Sequence, residues 1–491
     1  MEFIAKVQEA LLPIVVEING YLSDYILFFL LVGIGIFYTI RTRFVQVRCF
    51  GEGMKKVFGG LSLRGGKQKG GLSSFQALAT AIAAQVGMGN IIGACGAILI
   101  GGPGAIFWMW LIAFFGMATI YSEAVLAQQT KVVQKDGSVL GGPVYYIKKA
   151  FNNTFGKILA AFFAIAITLA LGFMGAMVQS NSISEALNTA SNGYVPTWVI
   201  GLVLAAICAF IFIGGIQRIA SVAEKIVPIM AVGYLIIGVI ILCINIKYVP
   251  ATFGMIFKYA FVPHALLGGA VGAAIKAAIS QGVKRGLFSN EAGMGSTPHA
   301  HAQAKVETPH EQGVVAMIGV FIDTFVVLTI TALVVISTLY TGNGPLATAE
   351  GIAANGLSGL LTKANLMQTA VGTALGSQMA GNIIVAVCLT FFAFTTIIGW
   401  NFFGKQNVQY LFGEKKSKVA VIVYSVLAII FIFLGSLLKN DLVWELTDMF
   451  NNLMVIPNVL ALAFLSKYVV EETRAASARK KAKKAEKAQV K

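Results

Sequence analysis

Between Leu72 and Leu126 an apolar run long enough to cross a bilayer is broken in its middle by Val86-Gly87-Met88-Gly89-Asn90, with no charge nearby. Each Gly costs a helix about 1 kcal/mol relative to Ala. Backbone that leaves the helix inside lipid must bury its freed N–H and C=O groups in protein or spend them on a ligand. A simple membrane anchor has no use for such a segment. Discontinuous helices of this kind are how secondary transporters build substrate and ion sites at the membrane midplane. The plainer alternative is that the glycines only let helices pack closely. Gln85 and Asn90 beside them favour a binding site, because polar side chains at this depth are expensive.

The rest of the chain agrees with a membrane domain. Its mean hydropathy is +0.79. Only 12% of the 491 residues are charged, where a soluble domain carries about 25%. With about 20 apolar residues needed per span, eleven spans are expected. They fall near 22–40, 73–101, 104–127, 156–185, 196–215, 219–245, 264–290, 312–340, 367–402, 418–438 and 443–466. With the N-terminus placed outside, the inner segments 41–71, 128–157, 214–225, 284–311, 403–418 and 467–491 hold 31 of the 37 Lys and Arg residues. The outer segments hold five (Lys6, Lys247, Lys258, Lys363 and Lys439), and Lys276 lies within a span. This positive-inside bias puts the C-terminus in the cytoplasm of a plasma-membrane protein. It also accounts for the net charge of +16 without a nucleic-acid partner. Cys49, Cys95, Cys208, Cys243 and Cys388 have no framework spacing and read as free thiols. Residues 3–16 read as a weakly amphipathic leader on the outer surface, and 471–491 as a basic helix near anionic headgroups.

With the first span set aside, ten remain and divide five plus five. Each half opens with an interrupted helix, at Gly87/Gly89 and between Gly282 and Gly295. That is the pattern of an inverted repeat. The expected organisation is an extra N-terminal helix and basic loop over 1–70, a first repeat over 71–245, a second over 262–466 and a basic tail over 467–491.

Two stretches carry a family resemblance. Val86-Gly-Met-Gly-Asn-Ile-Ile-Gly93 resembles the first broken helix of the sodium:alanine (alanine or glycine:cation) symporters. The more specific Gly282-Val-Lys-Arg-Gly-Leu-Phe-Ser-Asn-Glu-Ala-Gly-Met-Gly-Ser-Thr-Pro-His-Ala-His-Ala302 is similar to their second. The resemblance implies an all-α LeuT-like fold with one extra N-terminal helix and sodium-driven import of small neutral amino acids. Alanine or glycine is the expected substrate, with no cofactor besides Na⁺ as coupling ion. Met88 stands where the family often has Thr, which leaves substrate size open, and glutamine stays among the candidates.

An amino acid brings a carboxylate, an ammonium and a side chain. Free N–H groups at a helix break suit the carboxylate, which assigns it to Gly87, Met88 and Gly89. Unwound carbonyls near Phe288 and Ser289 are the expected acceptors for the ammonium. Gln179, lone in an apolar span, is either a substrate contact or a bond to a neighbouring helix. Sodium is a hard cation that takes oxygen ligands. Thr395 and Thr396 hydroxyls with the carbonyls of Ala83 and Val86 make such a cage, unless the threonines only bond back to their own helix. By the resemblance Asn90 is a second sodium ligand or an orienting group, and Trp400 walls the pocket.

Asp323 is an intramembrane charge and needs a partner. Lys276, Lys284 and Arg285 on the preceding helix are the expected candidates. A proton-relay role for Asp323 keeps proton coupling open, and Glu291 is placed at an inner gate. His299, His301 and His310 lack the Cys or carboxylate spacing of a metal site, so sodium is the only metal expected. Nothing resembles a nucleophile–base set, so an enzyme is not expected. The Gly-x-Gly of 87–89 follows no strand and is not a dinucleotide motif.

Overall fold

Lipid offers a backbone no hydrogen-bond partner, so a spanning chain must be helical or closed into a barrel. The computed structural model describes residues 2–59, 72–134, 137–262, 271–438 and 441–489; their regular elements are helices, with one two-stranded hairpin, Val132–Val133 with Val139–Leu140. Among the described residues eight helices are long and apolar enough to cross a membrane: Ala10–Arg41, Ala105–Thr130, Thr154–Ala190, Gly215–Ile244, Pro309–Leu339, Gln378–Gly413, Lys416–Gly435 and Leu442–Phe464. A ninth is the pair Ser74–Gln85 and Gly89–Gly101, bent by 48°. The two other expected spans coincide with Thr197–Ile213, of 17 residues, and with Val271–Asn290. Residues 263–270, where the latter was expected to begin, lie outside the described set.

The leader is not a separate surface segment. It runs into the first span, where Val15 is buried and Asn19 Nδ2 donates to the backbone carbonyl and Oε2 of Glu445, both at 2.7 Å. The tail helix Ser466–Gln489 docks one face on the bundle through Thr473 and Ser477, which receive bonds from Tyr121 and Arg48 or share them. All five cysteines are free thiols. Ile158, Ile207, Phe210, Ile229, Val232, Val419 and Ile422 face outward on the apolar helices, the surface that a bilayer covers.

The first broken helix starts at a capping box in which Ser73 and Gln76 satisfy each other's backbone N–H groups. It stops at Val86, whose φ of −79° and ψ of 87° leave the helical region. The second helix runs through Gly282 and Gly286 to Asn290, then unwinds over 291–297 before Pro298–Ala302. The break is therefore narrower than the glycines suggested. A Cβ on Gly282 would lie 2.5 Å from Trp108 Cβ, and one on Gly286 2.7 Å from Ile112 Cγ2. Those two glycines let the helix lie against Ala105–Thr130. Gly293 and Gly295, at φ of 90° and 80°, are the ones that let the chain turn.

Candidate functional site

The two breaks meet. A Cβ on Gly89 would sit 3.2 Å from both Phe288 Cδ1 and Ser289 Cα, so glycine here lets the second helix approach closely. Gln85 Nε2 ties the ends together by donating to the Asn290 carbonyl at 2.6 Å. Inside the first break Asn90 Oδ1 accepts the Gly87 N–H at 3.0 Å. The Met88 N–H reaches Gln179 Oε1 at 3.4 Å, long for a hydrogen bond. Ser182 Oγ lies 3.2 Å from Met88 Sδ, which holds that side chain toward the Thr154–Ala190 helix.

Phe288 meets Trp400 edge-on, with centroids 6.1 Å apart, and packs against Trp444 at 5.9 Å. Trp400 Nε1 donates to Glu291 Oε1 at 2.5 Å, and Ser296 Oγ donates to Oε2. Both Phe288 and Ser289 remain helical, one turn short of the unwound segment. Their carbonyls are nonetheless among those freed at the helix end, because the Ala292 N–H turns to Asn290 Oδ1 and the Gly293 N–H to Glu123 Oε2, while the Glu291 carbonyl takes the Met294 N–H.

Thr396 Oγ1 lies 3.1 Å from the Ala83 carbonyl and 3.1 Å from the Phe392 carbonyl. Thr395 Oγ1 also donates to the Phe392 carbonyl, at 3.0 Å, and its other neighbour is Met230 Sδ at 3.5 Å. Both hydroxyls therefore bond back to their own helix and converge on one carbonyl. Only Thr396 bridges to the first broken helix. The Phe392 oxygen is invisible to side-chain reasoning, although it lies three and four residues before the threonine pair.

Asp323 is fully buried, and among the described residues no base pairs with it. Its carboxylate accepts from Asn90 Nδ2 at 2.7 Å, from Ser289 Oγ at 3.0 Å and from Thr324 Oγ1 at 2.8 Å. The expected partners Lys284 and Arg285 face the opposite way, toward Asp448 at 3.1 and 3.4 Å. Lys276 stands 5.4 Å over the Tyr25 ring. The helix before the second break turns its basic residues away from Asp323 and its Ser289 toward it. Lys284 and Arg285 also lie inside the span and not in an inner loop. Removing them from the 31 basic residues expected on the inner side leaves 29.

The sequence reading passed over Glu123. It is buried, and it accepts from the backbone N–H of Gly293 at 3.1 Å, of Gly295 at 3.0 Å and from Asn458 Nδ2 at 2.6 Å. It thereby holds the second break in its unwound shape. Gln85 Oε1, Thr297 Oγ1 and both amide atoms of Asn401 are buried with no hydrogen-bond partner. Buried polar atoms are normally paired, so each of these has hydrogen-bonding capacity left over for a polar ligand or water. The histidines do other work. His299 Nδ1 meets the Ser296 carbonyl and its Nε2 meets Asn407, while His301 Nδ1 meets Gln312.

Two interrupted helices, back to back, with backbone amides, hydroxyls and buried carboxylates converging among apolar spans, define a membrane-embedded secondary transporter. The family model for the sodium:alanine symporter family matches residues 8–490, and the chain belongs to that family. It is 40% identical over 459 residues to the sodium/alanine symporter AgcS of Methanococcus maripaludis, covering 93% of this chain and 95% of that one. It is 38% identical over 477 residues to Bacillus subtilis GlnT, provisionally named a sodium/glutamine symporter (97% and 93% coverage). It is 40% identical over 454 residues to B. subtilis YrbD, provisionally named a sodium/proton-dependent alanine carrier (92% and 90%). Among solved structures it resembles MhsT in complex with L-phenylalanine, with a TM-score of 0.59 over 83% of this chain and 93% of that one. At 13% identity that likeness establishes the LeuT-like fold alone.

Proposed function

We propose that this chain imports small neutral amino acids, alanine or glycine, in symport with Na⁺ by alternating access. The observation that carries the reading is the contact of the two breaks at Gly89 and Ser289, beside the Thr396–Ala83–Phe392 oxygen cluster. The substrate carboxylate is received by the amides of Gly87, Met88 and Gly89, the weakly held Met88 N–H first. Gln179 turns to the substrate when that N–H is taken. The ammonium goes to the carbonyls of Phe288 and Ser289 in the last turn before the second break, and Phe288 and Trp400 close over a short side chain. Relatives named for alanine support the substrate class, and the one named for glutamine keeps a larger substrate as the alternative.

Na⁺ is held by the carbonyls of Ala83, Val86 and Phe392 with the hydroxyl of Thr396, and that of Thr395 after rotation away from Met230. Asn90, Ser289 and Asp323 make a second oxygen cluster with a negative charge and only neutral donors. An ion or a proton is the counter-charge such a buried carboxylate needs. This specific feature favours a second reading, in which Asp323 carries a proton and coupling is to H⁺. We further read the chain as two inverted five-helix repeats after one extra helix, lying in the cell membrane with the N-terminus outside. One charge crossing 100 mV yields about 2.3 kcal/mol, and a tenfold sodium gradient about 1.4 kcal/mol. Together they support accumulation of several hundredfold.

The test is uptake of labelled alanine into proteoliposomes under an inward sodium gradient, with glycine, serine and glutamine as competitors. Sodium-dependent accumulation that glycine suppresses and Thr396→Ala weakens is the expected result. Equal accumulation under a pH gradient without sodium moves the coupling to protons. Failure to accumulate any amino acid removes the proposal.

A further inference from the structure

On the basic face of the bundle three side chains of different chemistry converge. Cys49 precedes the Phe50–Phe58 helix, Glu52 lies on its first turn, and His310 opens the Pro309–Val320 helix. The Cys49 thiol, a Glu52 carboxylate oxygen and a His310 ring nitrogen all lie within 4.8 Å of one another. His310 Nε2 stands 3.2 Å from Glu52 Oε1. The edge of a zinc tetrahedron with 2.0–2.1 Å bonds to nitrogen and oxygen is about 3.3 Å. The pair is therefore spaced as ligands of one ion already are. The spacing that failed to appear along the sequence is supplied by folding, which carries Cys49 and Glu52 to a histidine far along the chain.

We propose that Cys49, Glu52 and His310 form a site for a divalent transition-metal ion of zinc type. Thiolate, imidazole and carboxylate together suit Zn²⁺ among common divalent ions. Thiolate and carboxylate supply two negative charges against the two positive charges of the ion. Binding displaces the thiol proton to solvent.

The surroundings are those of a held ligand set. His310 Nδ1 is 2.7 Å from the Tyr121 hydroxyl, which in turn meets Thr473 Oγ1 of the tail helix at 3.1 Å. That contact fixes the ring and leaves Nε2 for the ion. Lys480 holds Glu52 Oε2 at 3.0 Å, which turns Oε1 toward His310. Cys49 and His310 are buried and Glu52 is partly exposed. Glu52 and His310 line a cavity of about 560 Å³ with Lys55, Lys56, Glu311 and Lys480. That cavity is the entry path and the source of a water for the fourth position. Three protein ligands and one open position make an exchangeable site. It sits at the start of the helix that carries Asp323 thirteen residues later, roughly 20 Å along the axis.

The experiment uses the full chain in detergent, purified without a polyhistidine tag, and titrates it with Co²⁺ as an optical stand-in for zinc. The expected result is about one Co²⁺ per chain with a thiolate-to-cobalt charge-transfer band that Zn²⁺ displaces. Cys49→Ser removes the band, whereas Cys243→Ser, at an exposed cysteine, leaves it. Glu52→Gln and His310→Gln each weaken binding at least tenfold. Tyr121→Phe keeps the band and weakens binding about tenfold, as loss of an outer partner does. Each variant is compared at the wild-type elution volume and melting transition in chelator. Should Cys49→Ser fail that control, Glu52→Gln and His310→Gln decide the matter. No band, a band indifferent to Cys49→Ser, or wild-type affinity in both Glu52→Gln and His310→Gln overturns the proposal.

Discussion

Replacing Gly87 by alanine sets a methyl group 2.4 Å from Thr396 Oγ1 and 3.2 Å from Gln179 Nε2. Gly87 does not have a positive φ, so the strain comes from contact alone. The hydroxyl must give way, and it is the group that spans from Phe392 to Ala83. Overpacking of this kind costs about 1–3 kcal/mol. Losing the hydroxyl's place in the oxygen cluster puts a similar sum on ion binding, and about 1.4 kcal/mol is tenfold in an equilibrium constant. Gly87→Ala is therefore expected to raise the half-saturating sodium concentration for alanine uptake about tenfold and to lower the melting transition in sodium-free detergent. The double variant Gly87→Ala/Thr396→Ala removes the clashing atom. Its stability loss should fall short of the sum of the single losses by about 1 kcal/mol or more, since contacting residues couple on that scale. Initial rates of uptake against sodium, with melting of all four proteins, make the measurement. Wild-type sodium dependence in Gly87→Ala, or strictly additive stability losses, would refute the argument.

Asp323→Asn replaces a carboxylate acceptor of three donors by an amide whose NH₂ must face one of them, and hydrogen bonds to charged groups are worth about 1.5–3 kcal/mol each. Uptake at low sodium should fall at least tenfold, measured as initial rate per correctly folded molecule, and an unchanged dependence on both sodium and pH would sink the role given to Asp323. Glu123→Gln points an amide N–H at the backbone N–H of Gly293 or Gly295, and melting in detergent should report a loss of about 1–3 kcal/mol. Asp448→Asn leaves Lys284 and Arg285, both largely buried, facing no carboxylate. Breaking a buried pair costs about 3 kcal/mol or more, seen as reduced yield of monodisperse protein that Asp448→Glu should in part restore.

The first break was legible because two glycines and an asparagine stand out in apolar sequence. The second was legible only in outline. Gly282 and Gly286 serve close packing while Gly293 and Gly295 serve positive φ, and one-letter sequence does not distinguish the two uses. Charge pairing failed for a different reason. Proximity along the chain linked Asp323 to the basic residues of the preceding helix, but which face of that helix each side chain occupies is set by packing. Asp448, from another span, took the two cations, and Asp323 was left to neutral hydroxyl and amide donors that no charge count would single out. The Phe392 carbonyl belongs to the backbone and leaves no mark in residue type. The Cys49–Glu52–His310 cluster joins distant segments, which local spacing rules do not see.

Glu123 has a kinematic consequence. One carboxylate fastens the unwound loop at Gly293 and Gly295 to Asn458, whose other amide atom receives the Tyr146 hydroxyl. Four separate segments of chain are thus pinned at one node on the side of the second break away from Lys284. During the transport cycle they must travel as one body, and the flexing is left to the backbone between Asn290 and Gly293. Distances between spin labels on the outer surfaces of the Ala105–Thr130 and Leu442–Phe464 helices at this level should stay fixed when sodium and alanine are added, while distances to the Val271–Asn290 half-helix change.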